Sequence, residues 1–214
     1  MKIGIIGSGV VGQALGTGFA TVGHEVKIGT RRPADDKLKL WLGQNGPHAS
    51  VGSPLETARF GEVIVLATAW SGTENAIKIA GPENFAGKVV IDATNPLKMG
   101  QSGPTLALGW SDSAGEQVQR WLPGAKVVKA FNVVGNAHMF RPNFVDGPPD
   151  MLIAGNDAAA KQRVTDILHS FGWGVVDLGG IEGARYLEPI AMAWIVYGIK
   201  NNSWNHAFRL LRKA

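Results

Sequence analysis

The chain of 214 residues predicts an α/β fold: a doubly wound, mostly parallel sheet that ends in a short C-terminal helical region. Three observations carry that prediction. Short apolar runs alternate with segments of helical periodicity along most of the chain. Runs such as Val63–Ala67 are almost wholly apolar, which suits strands buried on both faces of a parallel sheet. The first run, Lys2–Ile6, passes directly into Gly7-Ser8-Gly9-Val10-Val11-Gly12 and then into an amphipathic segment. The order is therefore strand, glycine turn, helix.

Each element follows from local signals. A helix is expected over 10–22, a turn at Gly23-His24, and a second strand over Glu25–Gly29. Residues 34–44 read as a helix begun by Asp35 and Asp36, and His48–Val51 as a short third strand. Ser53 is a capping residue with Pro54 at the first helical position behind it. Strand Val63–Ala67, a helix over 73–80 and strand Lys88–Asp92 come next, and residues 98–112 form a glycine-rich excursion. After helix 113–121 and strand Ala125–Lys129, a further βαβ unit is expected at about 150–178: strand Met151–Ala154, helix Asp157–Phe171 and strand Gly174–Leu178. The stretch 182–213 reads as two helices interrupted near Asn201-Asn202-Ser203. Alternation of this length is that of a Rossmann-type domain, placed over 1–180, with a helical region over 181–214.

The glycine turn implies a dinucleotide. Gly7 permits the tight turn, Gly9 leaves room for a pyrophosphate, and Gly12 lets the helix pack on the strand. Ser8, Gly9, Val10 and Val11 then lie at a helix N-terminus, where free N–H groups and the helix dipole favour an anion. About twenty residues on, the second strand ends in Thr30-Arg31-Arg32, where an NAD-binding chain usually carries an acidic residue. A hydroxyl and two permanently charged planar guanidinium groups suit a 2′-phosphate instead. The expected cofactor is NADP(H).

Composition limits the alternatives. Hydrophobic residues make up 45% and charged residues 18% of the chain, as in globular proteins. The net charge of +4 is mild, and no dense basic run indicates a nucleic-acid partner. Without cysteine there is no disulfide, thiolate nucleophile or cysteine-ligated metal. The longest apolar stretch, Ile190–Ile199, is too short to span a bilayer. The first strand begins at once, without room for a signal peptide, so a cytoplasmic location and no membrane partner are expected.

Ligands of doubly wound folds bind beyond the carboxyl ends of the strands. Three clusters lie there: Ala67-Thr68-Ala69-Trp70, Ala93-Thr94-Asn95-Pro96-Leu97 and Ala130-Phe131-Asn132-Val133-Val134. Asn95 and Asn132 offer amide groups, Pro96 fixes a turn, and Trp70 and Phe131 are candidates to wall a flat ring. Trp70, Asn132 and His138 make up the candidate substrate pocket, and His138 is a weak candidate proton donor. No metal site is expected. In the C-terminal stretch Leu187, Ile190, Ala191, Trp194, Ile195 and Gly198 form an apolar face at helical spacing. With Trp204 and Phe208, part of that face is a candidate for pairing with a second subunit.

Gly7–Gly12, Thr30-Arg31-Arg32, Asp92–Leu97 and Val128–Asn132 together resemble the family of NADP oxidoreductases that depend on the deazaflavin coenzyme F420. Gly155-Asn156-Asp157 and Ala184–Pro189 extend the resemblance over most of the chain. It implies hydride transfer between NADPH and a deazaflavin or flavin co-substrate stacked on the nicotinamide. It also implies a homodimer whose C-terminal helices contribute to the interface and close the second pocket. By the same resemblance, Asn95 and Asn132–Val134 lie against the nicotinamide ribose and ring. The chain has Ala69-Trp70 where the family tends to carry proline before tryptophan, and the excursion 98–112 and loop 141–150 bear on the second pocket. An NADPH-dependent reductase of a small carbonyl or imine compound, and a non-catalytic NADP(H) sensor, stay open.

Overall fold

β1 (Lys2–Ile6) leads into α1 (Val10–Thr21), β2 (Glu25–Gly29), α2 (Asp36–Asn45) and β3 (Ala49–Gly52), so that the strands build outward from β1 in parallel. After α3 (Pro54–Phe60) the chain crosses to the other side of β1 and lays down β4 (Val63–Leu66), α4 (Trp70–Ala80) and β5 (Val89–Asp92). The winding therefore reverses between β1 and β4, and the carboxyl ends of these two strands define the switch point of the sheet. This computed structural model describes residues 1–101 and 103–213; Ser102 in the excursion and Ala214 at the C-terminus lie outside the described residues.

Side chains alternate across the sheet. Ile3, Ile5, Val63 and Val65 pack beneath α1 and α2, whereas Ile6, Ile64 and Leu66 pack beneath α3 and α4. Burial on both faces explains the unbroken apolar strands. Helix starts follow the sequence signals: Asp35 accepts from Lys37 N, and Ser53 and Glu56 form a reciprocal capping box.

The excursion is more ordered than its glycines suggest. It holds an antiparallel hairpin, β6 (Leu97–Gly100) and β7 (Gly103–Leu106), separate from the main sheet. α5 (Ala114–Trp121) and β8 (Lys126–Lys129) follow, with β8 parallel to β5. β9 (Asp150–Gly155), α6 (Ala158–Ser170) and β10 (Gly174–Asp177) form the expected βαβ unit. That unit runs against the rest, because β9 pairs antiparallel with β8. The order is β10-β9-β8-β5-β4-β1-β2-β3.

Only one of the two expected C-terminal helices forms. α7 (Ala184–Asn201) stops at Asn202, whose left-handed backbone (φ 46°) diverts the chain. Residues 203–213 then run without helix as a tail that folds back. Trp194 Nε1 donates to His206 O, Asp150 N donates to Phe208 O, and Leu210 N donates to Asp150 Oδ2. These bonds to distant partners replace the helical ladder. Part of the apolar face is taken up within the subunit: Leu187 and Ala191 bury against Val133 and Ala154, and Gly198 meets the Trp204 ring, while Ile190 and Ile195 stay half-buried. Tyr186, Val196, Tyr197 and Ile199 are the large apolar α7 residues left exposed.

α5 and α7 are joined by Arg185, which donates to Glu116 through Nε and Nη2. That bond, against the opposing effect of partial burial, holds the Glu116 carboxyl below its usual value. A depressed carboxyl stabilises the fold above the unfolded value, about 4.3, and loses that contribution as the pH falls. Glu116→Gln should therefore melt below the wild type at pH 7, with the gap closing below about pH 4 in thermal scans.

Candidate functional site

A cleft of about 470 Å³ opens at the switch point, between the turn after β1 and the turn after β4. Gly7, Ser8 and Gly9 form one side, and Ala67, Thr68 and Ala69 the other. Thr30, Arg31 and Arg32 line it too. The three glycines of the turn have distinct physical duties. Gly7 has φ +123°, and a Cβ there would overlap the Ala67 carbonyl. A Cβ on Gly12 would overlap the Gly7 carbonyl, so this glycine seats α1 on the strand end. A Cβ on Gly9 would meet nothing within 4 Å. Its lack of a side chain keeps space open, not packing tight.

That difference can be measured. Gly9→Ala, whose φ of −73° any residue adopts, should keep the wild-type melting temperature while weakening NADPH binding about tenfold, or roughly 1.4 kcal/mol. Gly12→Ala should instead destabilise the fold by about 1–3 kcal/mol, because the helix must lift from the strand. Calorimetric melting and NADPH titration of both variants separate the two duties.

α1 starts with no side-chain cap and no acidic residue in its first turn, leaving N–H groups at the cleft for an anion. Gln13 Nε2 donates to Ser8 O and steadies the turn. Ser8 Oγ and Thr30 Oγ1 lie 3.1 Å apart, and Arg32 N donates to Thr30 Oγ1, so the glycine turn and the end of β2 are tied together. Arg31 and Arg32 are exposed and have no ion-pair partner among the described residues. Two uncompensated guanidinium groups beside a hydroxyl suit a phosphate dianion. The cleft thus fits a phosphorylated dinucleotide on side-chain and backbone chemistry alone.

The remaining expected residues divide. Val10 and Val11 sit in the first turn of α1, Val10 exposed and Val11 half-buried. Asn95, Pro96 and Asn132–Val134 form a second cluster at the ends of β5 and β8. Asn95 Nδ2 donates to Asn132 O at 2.8 Å; Asn132 Nδ2 donates to Asn95 Oδ1 and Leu187 O, each at 3.2 Å. Asn132 Oδ1 is buried without a partner among the described residues. Val133 and Val134 are buried, and Val133 packs under α7.

Three aromatic expectations need correction. Phe131 has φ +63° and its ring lies in the core, 6.0 Å from Phe171, so it walls no open pocket. The Trp70 ring stacks on Trp121 at 5.4 Å, because α4 begins at Trp70 and turns the indole toward α5. His138 is engaged by the tail: Nε2 lies 3.1 Å from Asn205 Oδ1 and the ring packs on Phe144. Neither Trp70 nor His138 lines the cleft.

Two features escaped the sequence reading. Gly72, Asn75, Ala76 and Ile79 line the cleft from α4. Their helical spacing was the available signal, but it does not say which way the stripe faces. The other is a buried ionic cluster. Lys129, Asp92 and Glu188 are at most 1% exposed, and Lys129 Nζ lies 2.9 Å from Asp92 Oδ2 and 3.0 Å from Glu188 Oε1. Nζ also donates to Thr94 O, while Glu188 accepts from Ala114 N and Gly115 N at the start of α5. Burial acts to lower the Lys129 pKa, but the two carboxylates prevail and hold it above its ordinary value. A charge closing an otherwise apolar strand, as at Asp92 and Lys129, was the sequence signal.

Fold, switch-point cleft and basic rim together define a Rossmann-type nucleotide-binding protein. Comparison with known proteins narrows that class. The sequence model for NADP oxidoreductase, coenzyme F420-dependent, matches residues 2–96. The F420-dependent NADP reductase of Methanothermobacter marburgensis is 30% identical over 226 residues, covering 98% of each chain. The crystal structure of a candidate F420-dependent NADP reductase from Arthrobacter sp. FB24 superposes with a TM-score of 0.94 at 38% identity, over 99% of this chain and 100% of that one. Metalloreductase STEAP3 of Rattus norvegicus is 29% identical over 191 residues, but this chain spans only 36% of its length. The chain belongs to the coenzyme F420-dependent family of NADP oxidoreductases.

Proposed function

We propose that the chain transfers a hydride between NADP(H) and a flavin-like co-substrate, either coenzyme F420 or a flavin. The observation that carries this reading is the switch-point cleft, with open space at Gly9 beside an uncapped helix start and free arginines at the far rim. Ser8, Gly9, Val10 and Val11 hold the pyrophosphate, on a turn that Gly7 and Gly12 shape. Thr30, Arg31 and Arg32 hold the 2′-phosphate, and Ala67 and Thr68 wall the cleft. Asn95, Pro96 and the turn Phe131–Val134 frame the nicotinamide end. The transferred hydride is chemistry that the bound cofactor supplies. The chain's own task is to bind, orient and exclude water, and transfer to a flavin-like ring calls for no side-chain acid.

In this reading residues 1–180 carry the nucleotide, and 181–214 close the second pocket and pair two subunits into a homodimer in the cytoplasm. Exposed Tyr186, Val196, Tyr197 and Ile199 on α7, with Trp204 and Phe208 on the tail, support the pairing. No helix among the described residues is long and apolar enough to cross a membrane.

The test is anaerobic NADPH oxidation with F420, FMN, FAD and riboflavin offered separately. Saturable turnover with one of them establishes the reaction and names the acceptor. NADPH binding without turnover on any of them overturns it in favour of a small carbonyl or imine substrate, or of a sensor.

A further inference from the structure

Both turns assigned to the nicotinamide end spring from charged residues that never reach the cleft surface. Asp92 is the last residue of β5 and Lys129 the last of β8, and the two are direct neighbours in the sheet. Asp92 Oδ1 accepts from Thr94 N at 3.0 Å and Thr94 Oγ1 at 2.7 Å, curling the chain immediately before Asn95. Asp92 Oδ2 receives Lys129 Nζ, which also caps Thr94 O at 2.6 Å. Lys129 in turn holds Glu188, one residue beyond the Leu187 carbonyl that accepts from Asn132 Nδ2. One turn of α7 thus grips both cofactor-end loops, and the α5 N-terminus grips the same glutamate.

The arrangement is more elaborate than packing requires. An apolar trio of similar volume often serves stability as well as a buried ion cluster does. What an apolar trio cannot do is fix the direction of Thr94 N–H, its hydroxyl and its carbonyl at once. Hydrogen bonds to charged groups are short and directional, and in a water-free interior they polarise one another.

We propose that Asp92, Lys129 and Glu188 are positioning residues that lock turns 94–96 and 131–134 against α7 and so set where the nicotinamide ring sits. This rests on the function proposed above. The triad touches neither cofactor nor acceptor; it acts through Asn95 and Asn132. The adenosine half of the cleft is built from β1, β2 and α4 and lies outside its reach. The expected consequence is a split: loss of triad bonds spares NADPH affinity and disturbs the nicotinamide.

Glu188→Gln and Asp92→Asn test this, because each leaves Lys129 one carboxylate and so leaves no buried charge unpaired. Both variants are measured well below their melting temperatures, with folding checked by circular dichroism. The NADPH dissociation constant should stay within about twofold of wild type. The emission maximum and anisotropy of bound NADPH, which report the ring's surroundings without turnover, should move toward those of the free cofactor. Hydride transfer in single turnover should fall about tenfold or more, a rise of roughly 1.4 kcal/mol in the barrier. Wild-type fluorescence and transfer in either folded variant overturns the proposal. If the unsubstituted protein binds NADPH but reduces no acceptor, the functional reading fails while the fluorescence comparison still decides the triad. If it does not bind NADPH, both fail.

Discussion

Lys129→Met is expected to lower the unfolding free energy by about 3–5 kcal/mol, the largest stability effect of any single substitution discussed for this chain. Removing the ammonium leaves Asp92 and Glu188, both within 1% of complete burial, with no cation between them. Two carboxylates that lose a shared counterion in a dry interior repel one another and lose solvation together. Typical domains have only about 5–15 kcal/mol to lose, so the variant stands close to global unfolding at 37 °C. Denaturant titration at pH 7 measures it, with the slope checked for constancy. The pH dependence has a definite sign. Because the folded-state pKa of Lys129 is raised, its contribution is complete below the unfolded value of about 10.4 and fades only as the pH climbs through the folded value. The Lys129 contribution to the wild type should therefore hold through the neutral range and fade only in strong alkali. A loss under about 1 kcal/mol would show that the cluster's bonds nearly cancel its cost of desolvation.

The double variant Arg31→Ala/Arg32→Ala should raise the NADPH dissociation constant by roughly one hundredfold and leave NADH binding within about twofold. Hydrogen bonds to charged partners are worth about 1.5–3 kcal/mol each, which is ten- to a hundredfold per arginine, and both guanidinium groups are exposed and so partly screened. NADH lacks the 2′-phosphate and loses nothing. Titrations with the two nucleotides, repeated at 50 mM and 500 mM salt, provide the measurement. Wild-type discrimination should shrink with salt, and that of the variant should not change. Equal losses for NADPH and NADH would mean that the arginines hold the pyrophosphate or adenine, and would move the 2′-phosphate elsewhere.

The half of the site that was legible in the sequence is the half that is local. Gly7, Gly9, Gly12 and Thr30-Arg31-Arg32 sit on one β–turn–α–β unit, where sequence spacing nearly fixes spatial spacing. Backbone constraints also read directly: a glycine demanded by φ +123° at residue 7, and a Ser53–Glu56 capping box before an apolar segment. The aromatic rings were misread for the opposite reason. Trp70 and Phe131 do stand at strand ends, but the direction of each ring depends on what packs beside it, Trp121 from α5 in one case and Phe171 from the end of α6 in the other. His138 met Asn205, a residue in a tail expected to be helical. Asn202 ends α7 where the sequence places the interruption, through a left-handed conformation that asparagine tolerates, but the second helix expected beyond it does not form.

The sequence by itself determined the alternation of strands and helices, the switch-point turn and the chemistry of its phosphate-facing residues, because each depends on neighbours within a few positions. Tertiary structure alone decided the antiparallel entry of β9, the return of the tail and the meeting of Asp92, Lys129 and Glu188. Those three charges lie far apart in the chain, and no periodicity links them. Only the closing of β8 on β5 and of α7 on both excludes the water each charge would otherwise keep, and makes three solvated ions into one buried cluster.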